Sequence, residues 1–325
     1  MFVITGGSGF IGSNLAKGLE ENYSKPIFII DWIKNKEKNI NKRKNITLVD
    51  PKKYLLFLNQ NVNNIEIIFH LGAITSTTEK NAKRITKHNL DLSLNLWKWC
   101  ISNNVRFIYA SSAATYGSGQ NNFKDIDKLS YLSSLEPLNL YGWSKHLFDK
   151  FVVNQVSKSI APPQCVGLKF FNVYGPNEYH KGSMRSIVHQ LHGQIINGSG
   201  VRLFRSHNPN YEDGGQMRDF VFVEDCVSVM MWFFKNPEVS GMFNLGTGRA
   251  RSFLDVARAV YRVRGLQPEI EFIDTPPAIR EKYQYFTQAN MSKLRAVGCK
   301  HQFSNLEDSI STYVKDFLDQ DDPYL

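Results

Sequence analysis

The sequence has little of what marks a membrane, disulfide-bonded or low-complexity protein. No run of about 18 or more apolar residues occurs in its 325 residues, which argues against a transmembrane helix. The first residues enter an apolar strand at once, with no charged leader and no small-residue cleavage site, so the cytoplasm is the expected location. Cysteine is sparse: Cys100, Cys165, Cys226 and Cys299 form no Cys-x-x-Cys spacing, which speaks against a zinc site and a disulfide framework. No internal repeat or low-complexity tract stands out. Acidic residues are fewer than basic ones, 30 against 39, for a formal charge of +9. Much of that excess sits in "KNKEKNINKRKN", residues 34 to 45, but no aromatic platform or recognition motif accompanies it. A solvated basic loop or a phosphorylated small ligand accounts for it better than nucleic acid.

What is present is a core-forming chain, 42% hydrophobic, long enough for one large domain or two coupled ones. Short β-branched runs recur through the first 175 residues, each followed by a helix-like stretch: "MFVITGG", "PIFIID", "IEIIFHLGA", "RFIYASS" and "CVGLKFFNVYG". This alternation predicts an α/β fold, a Rossmann-type doubly wound parallel sheet with helices on both faces. The segment after "FIID" loses its periodicity to Lys and Asn and reads as a surface loop. Beyond residue 175 Gly, Pro, Asn and His interrupt the pattern, which predicts a smaller C-terminal α/β substrate lobe. The expected division is 1–172 for the dinucleotide-binding domain, with late sheet elements returning near 218–247, and 173–325 mainly for the substrate lobe.

"MFVITGGSGFIGSNL" gives strand, then Gly6, Gly9 and Gly12 at Gly-x-x-Gly-x-x-Gly spacing, then a helix with Ile11, Leu15 and Leu19 on one face. The glycines permit a tight turn and close backbone approach, and the helix start offers unpaired N–H groups to a pyrophosphate. Asp31 ends the second strand where an acid binds the adenosine ribose hydroxyls, which by itself favours NAD. Lys34, Lys36 and Lys38 follow, and any of them can neutralise a 2′-phosphate, so these residues leave NAD and NADP open. His70 has no clustered carboxylate or Cys partner and reads as a core histidine; no metal is assigned.

"NLYGWSK", residues 139 to 145, places Tyr141 and Lys145 four apart, about 30 residues after "ASSAATYG" at a strand exit. On a helix the two share a face, so the Lys145 ammonium can stabilise a Tyr141 phenolate of lowered pKa. Ser112 can hydrogen-bond the same substrate oxygen. Such a tyrosine accepts a proton from an alcohol while hydride leaves for a nicotinamide. Two exposed side chains on a helix are the alternative reading of the pair alone.

These residues, with "RDFVFVEDC" (218 to 226) and "GMFNLGTG" (241 to 248), resemble over essentially the whole chain the extended short-chain dehydrogenase/reductases, the class of nucleotide-sugar epimerases and dehydratases. Dehydratases of that class carry an Asp-Glu pair after the catalytic Ser or Thr; Ala113 and Ala114 stand there, which leaves epimerisation or reduction. "HLGAITSTTE", "ASSAATYG", "FNVYGPNEYHKGSM", "LFRS" and "KYQYFTQA" are similar more narrowly to the ADP-L-glycero-D-manno-heptose 6-epimerases.

That resemblance implies an isomerase that oxidises and re-reduces C6 of an ADP-heptose with tightly held nicotinamide, for the lipopolysaccharide inner core. It implies Tyr141, Lys145 and Ser112 as catalytic, with Lys181 as a second acid/base. It implies NADP, with Lys38 the leading phosphate partner, although Trp32 follows Asp31 where the family often has Asn. Implied cofactor contacts are Gly6, Gly9, Phe10, Ile11, Gly12, Asp31, Trp32, Lys38, the run Leu71, Gly72, Ala73, Ile74 and Thr75, then Asn89, Lys145, Val173 and Lys181. Implied substrate contacts are Thr75, Ser76, Ser112, Asn172, Ser183, Phe204, Ser206, Arg218 and Tyr283, with Arg218 able to fork onto a diphosphate. Gln190 stands where the family tends to show His, with His189 beside it, and neither is assigned. A homo-oligomer, a pentamer or a pair of pentamers, is also implied, with no nucleic-acid or membrane partner. The competing readings are a UDP-sugar 4-epimerase or related reductase, which shares Tyr141, Lys145 and Ser112 but does not require Lys181, and a nucleotide-binding regulator that has lost catalysis.

Overall fold

The computed structural model describes residues 1–280 and 283–325; the lysine that opens the "KYQYFTQA" block lies outside them. Its strands are β1 (Phe2–Thr5), β2 (Ile27–Ile30), β3 (Ile46–Val49), β4 (Ile67–His70), β5 (Arg106–Ser112) and β6 (Cys165–Phe170). They continue as β7 (Asn172–Tyr174), β8 (Val201–Phe204), β9 (Met217–Phe222), β10 (Gly241–Leu245), β11 (Ala250–Ser252) and β12 (Ile270–Ile273). Seven of them form one sheet in the order β10-β6-β5-β4-β1-β2-β3, every neighbouring pair parallel. This is the Rossmann-type doubly wound sheet.

Both faces of the sheet are covered, which is why its central strands read as unbroken apolar runs. Phe2 and Ile4 of β1 are buried in one core with Leu15 and Leu19 of α1 (Phe10–Asn22). Val3, between them, is buried in a second core with Trp97 of α2 (Leu92–Ser102) and Phe148 of α3 (Leu140–Val156). The alternation follows from the period of two along a strand. Full burial of Leu15 or Leu19 contributes roughly 1.5–3 kcal/mol each, enough to fix which face α1 presents to the sheet.

The smaller lobe has its own core, built on Val188 and Leu191 of α4 (Ile187–Ile196), Val256 and Val260 of α6 (Phe253–Val263), and Ile310 and Tyr313 of α7 (Leu306–Tyr313). Ser252 and Asp255 close a reciprocal capping box at the start of α6. Between these helices, α5 (Val223–Lys235) packs on α1. Among the described residues no helix is long and apolar enough to cross a membrane.

Two expectations about the sheet need correcting. The segment after "FIID" is not all loop: Ile46–Val49 forms β3 and pairs with β2 at the sheet edge. Of the segment 218–247, only β10 joins the large sheet; β9 lies in a separate three-stranded sheet between β11 and β7.

The strand order reverses between β1 and β4, and the loops leaving the carboxyl ends of these two strands meet there, as ligand crevices in such sheets require. Gly6 has φ +70°, and a Cβ on it would come within 2.6 Å of the Gly72 backbone. Gly6→Ala is therefore expected to cost at least about 1–2 kcal/mol from the left-handed backbone alone. A thermal melt and a nicotinamide titration should both register the loss, since the same contact shapes the crevice.

Candidate active site

The residues that the sequence marks as chemical converge on a cavity of about 290 Å³ at this crevice. It is lined by Gly6, Gly9, Phe10, Ile11 and Gly12 from the glycine loop and α1, by Leu71, Gly72, Ala73 and Thr75 after β4, and by Ser112, Tyr141, Lys145, Val173 and Lys181. Asp31 lies on its edge and also lines a neighbouring cavity of about 720 Å³ with Trp32 and Ile74. Lys36, Ala110, Ser111, Phe170, Phe171 and His180 complete the lining of the first cavity; of these only Lys36 was among the residues expected, as one of three lysines.

The start of α3 explains how Tyr141 reaches Ser112. Asn139 caps the helix, its side-chain oxygen accepting from the Gly142 N–H at 2.8 Å. A Cβ on Gly142 would stand 2.7 Å from the Ala114 carbonyl oxygen, so glycine lets the first turn of α3 press against the turn after β5. In that turn the Ser112 hydroxyl oxygen accepts from the Ala114 N–H at 3.1 Å, and Ser112 and Tyr141 line the same cavity. Lys145, one turn further along α3, is buried.

The electrostatics depart from one expectation. Burial pushes the Tyr141 hydroxyl above its ordinary value, opposed by the Ser112 side chain and reinforced by Asp149. A lowered Tyr141 pKa is thus not found in the protein by itself, because desolvation of the phenolate outweighs its local partners. Lys145 is pulled down to about 8 by burial, with the Asp149 carboxylate acting against that pull.

Lys181 approaches the cavity from the other lobe, in the turn Tyr179–Met184 after β7, where Gly182 at φ +56° breaks the helical path. Its Nζ lies 5.1 Å from the centre of the Phe10 ring. Burial lowers its pKa, and Glu178 opposes. Glu178 is itself buried and holds the turn, accepting from Ser186 Oγ at 2.6 Å and Tyr313 OH at 3.0 Å.

The crevice fits a dinucleotide. Gly9 is the N-cap of α1 and offers no side chain to the amides that follow, and no acidic residue stands in the first turn. Those N–H groups are left to a phosphate.

The cofactor expectations need three adjustments. Lys38 does not line either cavity; its Nζ sits over the Tyr324 ring, 5.5 Å from the centre. Lys36 takes the place beside Asp31, Nζ to Oδ1 2.6 Å, and the second Asp31 oxygen accepts from the Ser8 N–H at 3.1 Å. Asn89 also misses both linings: it is buried, pairs with both backbone groups of Ile74 and donates to Ser144 Oγ at 3.0 Å, so it clamps the loop after β4 to α3. His70 is satisfied on both nitrogens, by Thr5 Oγ1 at 2.6 Å and Ser93 Oγ at 2.8 Å.

Among the substrate expectations, Phe204, Arg218 and Tyr283 come together. Phe204 and Tyr283 meet edge to face with ring centres 6.1 Å apart, and the Arg218 guanidinium lies 5.7 Å from the Tyr283 ring. Arg218 is buried, donates to its neighbour's carbonyl, and pairs with no carboxylate among the described residues. Ser206 follows at the end of β8, its hydroxyl donating to the Asn208 carbonyl at 2.8 Å. Thr75 lines the cavity; Ser76 instead pairs with Thr78 at 3.0 Å, and Asn172 and Ser183 are exposed and outside both linings.

Comparison with known proteins decides the family. The model of the NAD dependent epimerase/dehydratase family matches residues 2–246. The chain belongs to that family. Within it, the chain is 44% identical over 329 aligned positions, and the full length of both proteins, to the ADP-L-glycero-D-manno-heptose-6-epimerase of Nitratidesulfovibrio vulgaris strain DP4. It is 39% identical to the enzyme of that name in Fusobacterium nucleatum, again over the full length of both. The crystal structure of Helicobacter pylori ADP-L-glycero-D-manno-heptose-6-epimerase superposes with a TM-score of 0.76 at 29% identity, covering 97% of this chain and 95% of the other. Family membership makes this an epimerase-class enzyme that works with a nicotinamide cofactor.

Proposed function

We propose that this enzyme interconverts ADP-D-glycero-D-manno-heptose and ADP-L-glycero-D-manno-heptose by oxidation and re-reduction at C6, serving lipopolysaccharide inner-core synthesis. The observation that carries the reading is the arrival of two separate proton-handling side chains, Tyr141 and Lys181, at one cavity from different lobes. A C6 inversion needs a proton acceptor on one orientation of the alcohol and a donor on the other.

A nicotinamide held by the glycine loop and the segment Leu71–Thr75 would supply a hydride acceptor at C6 and the means of returning that hydride. Tyr141 takes the proton of the C6 hydroxyl in one orientation, acting as the phenolate that burial disfavours and the Lys145 charge supports, with Ser112 hydrogen-bonded to the same oxygen. C6 becomes a ketone. After the ketone presents its other face, Lys181 protonates the oxygen as hydride returns, so no oxidant is consumed. Run backwards, neutral Lys181 is the base and Tyr141 the acid. Arg218, with no carboxylate partner among the described residues, holds the diphosphate, and Phe204 and Tyr283 wall the nucleotide pocket. Substrate carrying deuterium at C6 tests this route: the label stays on C6 through epimerisation, and washout to solvent contradicts it.

The cofactor is NADP. Asp31 is already engaged by Lys36 and Ser8, which leaves it a poor acceptor for a ribose 2′-hydroxyl, while Lys36 places a cation at the same edge. Lys36, rather than Lys38, is the phosphate partner. Lys36→Met is expected to weaken NADP binding by about tenfold or more, the worth of a charge-assisted hydrogen bond, and to leave NAD binding little changed. Fluorescence titration of the two reduced cofactors checks it. The assembly is a cytoplasmic homo-oligomer, a pentamer on the family resemblance, and equilibrium sedimentation reads its mass.

A further inference from the structure

Beneath the floor of the cavity lies an ion pair that the chemistry above does not use. Asp149 stands on α3 one turn beyond Lys145, and Lys169 is the next-to-last residue of β6; both side chains are fully buried. Removing two charges from water is costly, so such a pair survives only when its remaining hydrogen bonds are satisfied. Here they are. The Asp149 carboxylate accepts from Lys169 Nζ, from Ser111 Oγ at 2.7 Å and from Tyr109 OH at 3.1 Å. Lys169 Nζ also donates to Thr115 Oγ1 at 2.7 Å, and the Thr115 hydroxyl donates to the Ser112 carbonyl at 2.8 Å. One connected network thus joins α3, β6, β5 and the turn after β5.

We propose that the Asp149–Lys169 pair is a positioning element of the active site: it locks α3, which carries Tyr141 and Lys145, to the strand end that carries Ser112, and it faces Lys145 with a compensating negative charge. This rests on the reading of those three residues as catalytic. Asp149, Tyr141 and His146 share the helix of Lys145, Lys169 comes from β6, Tyr109 from β5, and His70 from β4, where burial pulls its pKa down to about 3 and keeps it neutral; Lys181, Lys36, Asp31 and His180 line the same cavity as Lys145. Burial works against the Lys145 cation, and Asp149 is the group that opposes it. Without Asp149, Lys145 loses its proton at a lower pH and no longer supports the Tyr141 phenolate.

Asp149→Asn alone leaves Lys169 buried and uncompensated, and that protein can fail to fold. The double variant Asp149→Asn, Lys169→Met removes both charges at nearly constant shape. It is expected to fold, to bind the nucleotide sugar within about twofold of the parent, and to lose kcat at neutral pH by at least about tenfold through misplacement of the reacting groups. The alkaline limb of its kcat profile is expected to move down by roughly half a pH unit or more. The charge-conserving double variant Asp149→Glu, Lys169→Arg is expected to recover the limb and most of kcat. An unchanged profile in the neutral double variant, or a loss equal at every pH, overturns the proposal. A second readout needs no substrate: the Lys145 signal of protein labelled with ¹³Cε-lysine, assigned by its absence in Lys145→Met, is expected to titrate at lower pH in the neutral double variant. An unmoved midpoint overturns the proposal whatever the substrate is, whereas failure of the parent enzyme to turn over ADP-heptose counts against the proposed function alone.

Discussion

Lys181→Met is expected to lower the rate of C6 interconversion by about 10²–10⁴, the usual worth of a positioned acid/base, while nucleotide-sugar binding stays within a few fold. The asymmetry of the two proton carriers sharpens the expectation. Tyr141 and Ser112 remain in place in this variant, so one C6 epimer is still oxidised and the other is not. Mixing each epimer with the loaded variant and following nicotinamide absorbance gives the result: reduced cofactor builds up with one epimer only. A single-base 4-epimerase keeps most of its rate in the same variant. Burial of Lys181 suits the role, because it lowers the ammonium pKa and leaves a larger share of the neutral base near neutral pH.

Lys145→Met is expected to cost both directions equally, by about 10² or more, since its charge supports the Tyr141 phenolate whichever epimer is being formed. The parent enzyme carries the same dependence in its pH profile. Lys145 is pulled down to about 8, so its cation is fully present below that pH and is lost as pH rises through it. Activity is therefore expected to fall above about pH 8, with the fall absent from whatever residual activity the Lys145→Met protein retains. Initial rates from pH 6 to 10 on both proteins, with folding followed by circular dichroism over the same range, make the comparison.

Much of this was legible in the residues. The glycine loop announced itself because a tight turn, a phosphate and a helix start impose glycine at fixed spacing. Tyr141, Lys145 and Ser112 were legible because a helical spacing and a strand exit are local features. The hidden parts depend on contacts remote in sequence or on weak patterns. β3 is an edge strand whose Thr47 and Leu48 are exposed, so the apolar run that betrays a central strand is missing. That Lys36 lies beside Asp31 while Lys38 lies over Tyr324, almost 290 positions away, is not a local feature. Asn89 near the cofactor loop was a fair expectation, but its role as a clamp needs Ile74 and Ser144 in view. The Asp149–Lys169 pair did leave a trace: a lysine in the midst of the apolar "CVGLKFF" strand demands a buried partner, and an aspartate four residues beyond Lys145 shares the face of α3 that turns inward.

The central claim is C6 epimerisation by an enzyme that holds its own cofactor, and one measurement addresses it most directly. Purified protein is incubated with ADP-D-glycero-D-manno-heptose and no added nicotinamide, and the configuration at C6 is followed by proton NMR. Approach to a mixture of the two C6 epimers is the predicted result. A spectrum that does not change, even after NADP and then NAD are supplied, contradicts the account.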